Sequence, residues 1–134
     1  MKMHHIVGRN FKLNPTIMLD LNHKKLTVWK KSIELVKQIY VLTGDFPSEE
    51  KFGMVSQLRR AAISVPSNIS EGASRRSKAE RERFYEIARS SLVEIDAQIE
   101  ISLELEYLNT GDISELTQLA NQVFAMLSAM MRTN

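Results

Sequence analysis

The stretch Lys51-Phe52-Gly53-Met54-Val55-Ser56-Gln57-Leu58-Arg59-Arg60-Ala61-Ala62-Ile63-Ser64-Val65-Pro66-Ser67-Asn68-Ile69-Ser70-Glu71-Gly72-Ala73-Ser74-Arg75-Arg76-Ser77-Lys78 organises this chain. Phe52, Val55, Ala62, Val65 and Ile69 fall on one side of a helical repeat, which predicts a helix with one apolar stripe. Arg59 and Arg60 flank that stripe. Pro66 lies deep inside the same helix, where a proline removes one backbone hydrogen bond and crowds the preceding turn, at about 3 kcal/mol. A bend near Pro66 is therefore expected, with the hydroxyls of Ser64, Ser67 and Ser70 available to freed carbonyls. Gly72 closes the helix, and Arg75 and Arg76 sit in the turn that follows.

Upstream, Trp29, Ile33, Val36 and Tyr40 recur at spacings of four, three and four, so they predict the buried face of a first helix. Thr43-Gly44-Asp45-Phe46-Pro47 stops it, with Gly44 suited to a left-handed cap. Ser48, Glu49 and Glu50 then read as the start of the second helix, with acids where its dipole favours them. Downstream, Ser77 and Glu80 have capping-box spacing and open the longest helix, to about Leu108. Its apolar face holds Phe84, Ala88, Ser91, Ile95, Ser102 and Leu105, widened by Ile87, Leu92 and Ile99. After a turn at Asn109-Thr110-Gly111, Asp112 and Glu115 suggest a second box. The last helix carries Leu116, Ala120, Val123, Leu127 and Met130, with Leu119, Phe124, Met126 and Met131 broadening the stripe.

Four helices with short connections predict an all-α, antiparallel up-down-up-down four-helix bundle over residues 25–134, its second helix kinked near Pro66. Residues 1–24 hold all three histidines and Pro15 without a helical period, and read as an N-terminal extension in which Met18 is an alternative start. The 134 residues suffice for one core. Cysteine is absent, which removes disulfides, thiolate metal sites and a cysteine nucleophile, and suits the cytoplasm. No long apolar run predicts a membrane span, and the first residues lack the pattern of a signal peptide.

The net charge of +2 conceals two opposed regions. Residues 51–83 hold eight Lys or Arg against three acids, whereas residues 84–115 hold eight acids against one Arg. Such asymmetry suits a polyanion or the mating of unlike patches. A bundle metal centre would need Glu and His projecting inward from facing helices. The histidines, at positions 4, 5 and 23, cannot supply it, and His4-His5 is an incidental pair. Asp96, Glu100 and Glu104 line one helix face but repel one another and lack partners for a cation. No nucleophile triad or phosphate loop is present, so neither an enzyme nor a cofactor is expected.

The basic residues remain. Arg59, Arg60, Arg75, Arg76, Lys78 and Arg81 are candidates for binding the phosphates of RNA or DNA, because guanidinium forks bond two oxygens at once. Tyr85 is the only nearby aromatic candidate for base stacking. Asp96, Glu100 and Glu104, with Met126 and Met130 on the last helix, are candidates for an oligomer interface. The alternative is a protein scaffold without nucleic acid, in which Arg59 and Arg60 meet Glu94, Asp96, Glu100 or Glu104 of another subunit.

Several motifs also resemble a known family. Lys51-Phe52-Gly53, Ser56 through Ala62, Val65 through Ile69 and Glu71-Gly72 resemble the hallmark segment of the bacterial four-helix-bundle proteins, the 23S rRNA intervening-sequence proteins. Leu26 through Ser32, Leu92-Val93-Glu94 and Leu105 through Leu108 resemble other parts of its pattern, so the likeness spans about residues 24–131. The resemblance implies a left-handed antiparallel bundle assembling as a homopentamer, with no established enzymatic activity. The family is similar to the accessory protein of diversity-generating retroelements, which implies a protein partner such as a reverse transcriptase, besides nucleic acid.

Overall fold

A computed structural model describes residues 18–132. Among these residues it contains four α-helices and no strand. They are α1 (Thr27–Thr43), α2 (Met54–Ala73), α3 (Lys78–Glu104) and α4 (Ser114–Arg132). Short 3₁₀ turns at Asn22–Lys25, Ser48–Glu50 and Thr110–Ile113 precede α1, α2 and α4. α2 packs on α1 and α3, and α4 also packs on α1 and α3, so all four enclose one core. Leu35, Ile39, Leu58, Val65, Ile69, Val123 and Leu127 are fully buried at its centre.

The α2 stripe is Val55, Leu58, Ala62, Val65 and Ile69, at the three- and four-residue spacings of a core-facing helix. Phe52 does not join it. The helix begins at Met54 rather than Ser48, because the Glu50 carboxylate accepts the Met54 N–H at 3.0 Å and caps the first turn across Gly53. Phe52 is left on the preceding turn, 88% exposed. Helix α2 runs through Pro66, whose ring is buried. The proline cannot donate to the Ala62 carbonyl. The Ser70 hydroxyl donates to the carbonyl of Pro66, not to that of Ala62, at 2.9 Å, and accepts the Trp29 indole N–H at 3.0 Å. That serine thus ties the start of α1 to the end of α2.

The face of α1 is displaced by one residue from the sequence expectation. Val28, Ser32, Leu35, Ile39 and Thr43 are buried, Trp29, Ile33 and Val36 flank them half-buried, and Tyr40 is exposed. Both stripes have helical spacing. Burying the small Ser32 and Thr43 is possible because their hydroxyls donate to the Trp29 and Ile39 carbonyls within the helix. Gly44 is right-handed, not left-handed (φ −62°). Phe46 in the following loop enters the core and meets the Tyr107 ring at 5.3 Å.

Helix α3 stops at Glu104, short of Leu108. Glu106 adopts the left-handed conformation (φ 63°). Its N–H donates to the Leu103 carbonyl at 3.0 Å, and the Tyr107 N–H to that of Ser102 at 2.9 Å. These two bonds satisfy terminal carbonyls in a Schellman arrangement. Phe84 and Ile87 lie beside the α3 stripe rather than in it, and Tyr85 and Gln98 take buried places. The second capping box sits earlier than expected: the Asn109 N–H donates to the Asp112 carboxylate at 3.3 Å. At the start of α3, Ser77 accepts the Glu80 N–H, at 3.1 Å, as its spacing predicts.

Gly72 has a packing role. A Cβ there would lie 2.6 Å from Cε1 of Tyr85 and 3.1 Å from the Arg81 carbonyl oxygen. Only glycine allows α2 and α3 to approach this closely. Gly72→Ala should therefore cost roughly 1–3 kcal/mol through overpacking, read as a lower urea midpoint at unchanged slope.

Tyr107 donates to Glu50 at 2.8 Å, so the two bonds from Met54 and Tyr107 hold the Glu50 carboxyl below its ordinary 4.5. The unfolded chain then binds this proton more readily than the folded one. The stabilisation is complete above the unfolded value and is lost as pH falls through the lower folded value. Glu50→Gln should lose less of its urea midpoint than the natural chain between about pH 7 and about pH 3.

Candidate nucleic-acid interface

The α2–α3 turn displays one basic group. Arg81 reaches back to donate to the Arg76 carbonyl at 2.7 Å and so fastens the turn. Arg75 pairs with Glu71 at 2.6 Å and lies over the Phe84 ring at 4.9 Å. Lys78 pairs with Glu82 at 2.6 Å. The exposed Arg76 and Arg83 have no ion-pair partner within 4.0 Å among the described residues. From Glu71 to Arg83 the turn carries five cations (Arg75, Arg76, Lys78, Arg81, Arg83) against three acids (Glu71, Glu80, Glu82), a net +2.

Arg59 and Arg60 form a second group. Arg59 Nε donates to Thr43 Oγ1 at 2.9 Å and its Nη2 to the Tyr40 carbonyl at 3.2 Å. A cation is thereby fixed at the C-terminus of α1, where the helix dipole favours it. Its guanidinium also stacks 4.3 Å from the Tyr40 ring centroid. Arg60 bonds only the Ser56 hydroxyl of its own helix, at 3.1 Å, and otherwise faces solvent. It shares a shallow groove with Glu94 but makes no ion pair with it.

The candidates therefore do not form one site. From Arg60 to the end of α2 is about 20 Å of helix, at 1.5 Å per residue. Arg75, Arg76, Lys78 and Arg81 are together at one end of α2, and Arg59 and Arg60 are near the other. Tyr85 cannot stack on a base, because it is buried against Gly72, and burial pushes its hydroxyl pKa up. Phe52 and Tyr40, which the sequence pattern placed in the core, are exposed instead and share a groove with Arg59 and Arg60.

Asp96, Glu100 and Glu104 are all exposed on α3, and the first two border a groove between α3 and α4. Val93 and Phe124, both exposed, border its continuation with Asp96. Met126 and Met130 are half-buried against the core, so part of the apolar excess of α4 is core packing. Among the described residues no group of three or more His, Asp or Glu is placed to hold a metal. No described helix is long and apolar enough to cross a membrane.

With these helices in view, the profile of the 23S rRNA-intervening sequence protein family matches residues 24–129, nearly all of α1 to α4. The chain belongs to the 23S rRNA-intervening sequence protein family. A crystal structure of an S23 ribosomal protein family member of unknown function from Bacteroides thetaiotaomicron superimposes with a TM-score of 0.73. It is 24% identical, and the alignment covers 80% of this chain and all of that one, a likeness of fold. No curated protein matches the chain. The family match stops at residue 129 and begins at residue 24, so residues 1–23 lie outside it. His4 and His5 of that segment are outside the described residues.

The two neighbouring arginines have different work within the family fold. Arg59→Ala should lower stability by about 1 kcal/mol by releasing the α1 terminus, whereas Arg60→Ala should stay within about 0.5 kcal/mol of the natural chain. Paired urea titrations check the difference.

Proposed function

We propose that this family member is a non-catalytic, homo-oligomeric bundle that binds the backbone of RNA or DNA, alone or as the accessory of a nucleic-acid enzyme such as a reverse transcriptase. The carrying observation is the α2–α3 turn, where Arg76 and Arg83 stand exposed and unpaired beside Arg75, Lys78 and Arg81. An unpaired guanidinium keeps its fork for a phosphate, and a paired one can exchange its carboxylate for one. Arg60 offers a second such contact at the far end of α2.

The bundle behind this surface is read as antiparallel, up-down-up-down. Trp29 bonding Ser70, Arg59 bonding Thr43, and Gln98 bonding Gln57 support that order for α1, α2 and α3. Arg89 bonding Ser128 supports it for α4. A bend at Pro66 follows from the lost bond to Ala62. A cysteine-free chain folds without an oxidising compartment, which supports a cytoplasmic site of action. Exposed Val93 and Phe124 beside Asp96 support self-association through the α3–α4 face, as a pentamer by likeness to the family. The same face favours the second reading, a scaffold that assembles without nucleic acid.

Titrating RNA and DNA against salt separates the readings. Affinity should fall steeply as salt rises, and the double variant Arg60→Ala, Arg76→Ala should flatten the log–log slope by roughly one to two. Salt-independent binding, or an unchanged slope in the variant, would contradict the backbone reading. Light scattering at micromolar concentration should show an oligomer; a strict monomer would contradict assembly.

A further inference from the structure

An open groove of about 360 Å³ runs between the end of α1 and the start of α2. Tyr40, Phe52, Val55 and Ile63 supply its apolar surface, and Lys51, Arg59 and Arg60 its charge. No carboxylate lines it. Phe52 is unusual for an apolar aromatic, since nearly all of its side chain is in water. The Lys51 ammonium lies 5.5 Å from its ring centroid. Across the groove, Arg59 is stacked on Tyr40 and held by two further bonds to α1, so that pair is already in a fixed orientation.

We infer that this groove is a stacking site for unpaired bases of single-stranded nucleic acid, with Phe52 as the platform and Lys51, Arg59 and Arg60 on the flanking phosphates. The inference rests on the nucleic-acid reading above and names the form of nucleic acid and a second contact type. Bare cations would suit any polyanion. An exposed ring among them adds a surface that attracts the flat face of a base, and every base has one. A duplex hides those faces within its own stack, so only a single strand can use the ring. Three cations and no acid in the lining favour an anionic partner over a cationic or neutral one, and the exposed ring beside them matches the base faces that a nucleic acid carries among its phosphates.

Phe52→Ala is the decisive variant, because an exposed side chain outside any helix can be removed without opening the core. Fluorescence anisotropy would follow single-stranded RNA and DNA 20-mers, a duplex of the same sequence, and an abasic sugar-phosphate strand. Losing one stacked base should weaken both single strands by about 5- to 150-fold. Duplex and abasic affinities should not change, and neither should the salt slope. Phe52→Trp should retain single-strand affinity. Equal weakening on duplex and single strands, or no weakening, would overturn the inference and leave backbone binding intact. A changed oligomer mass in Phe52→Ala would also overturn it, by placing the ring under a second copy of the chain. If the natural protein binds none of the four probes, the nucleic-acid reading itself falls.

Discussion

The close approach of α2 and α3 at Gly72 is the constraint on which the rest of the molecule depends. With no Cβ at that position, the Tyr85 ring lies directly against the α2 backbone, and the two helices meet just before their connection. The turn that joins them is consequently short, and its side chains have no interior to enter. Arg75, Arg76, Lys78 and Arg83 point outward for that reason, while Arg81 turns back to bind the Arg76 carbonyl. A structural requirement of packing thus produces a charged, exposed end of the bundle.

At the other end, Glu50 does comparable work. It caps α2 through Met54 and accepts from Tyr107, which in turn packs on Phe46. The loops after α1 and α3 are joined by this one carboxylate. By starting α2 at Met54, the same cap leaves Phe52 outside the helix. Arg59, bonded to the last turn of α1, then frames the space beside that ring. Charge and exposed apolar surface coincide there because two terminus-capping interactions placed them so.

Much of the bundle was legible in sequence. The stripes of α2 and α4, the Ser77 cap and the turn after Gly72 follow from periodicity and capping chemistry. The face of α1 did not, because Val28-Ser32-Leu35-Ile39 and Trp29-Ile33-Val36-Tyr40 are adjacent stripes of equal spacing. Bulk favoured the second stripe, and intrahelical bonds from buried hydroxyls allowed the first. Phe52 was misplaced for another reason: the Glu50 cap on Met54 carries the helix start past it. The separation of the two arginine groups was available from the rise per residue alone. The burial of Tyr85 was not, since it depends on what faces Gly72 from another helix.

We propose that nucleic acid meets this protein at the two ends of α2 rather than on the α3–α4 face. Ultraviolet crosslinking of the protein in its native host, followed by mapping of nucleotide-bearing peptides, tests that most directly. Adducts should concentrate in the peptides around residues 51–60 and 75–83. Adducts confined to α4, or none at all from an intact assembly, would contradict this placement.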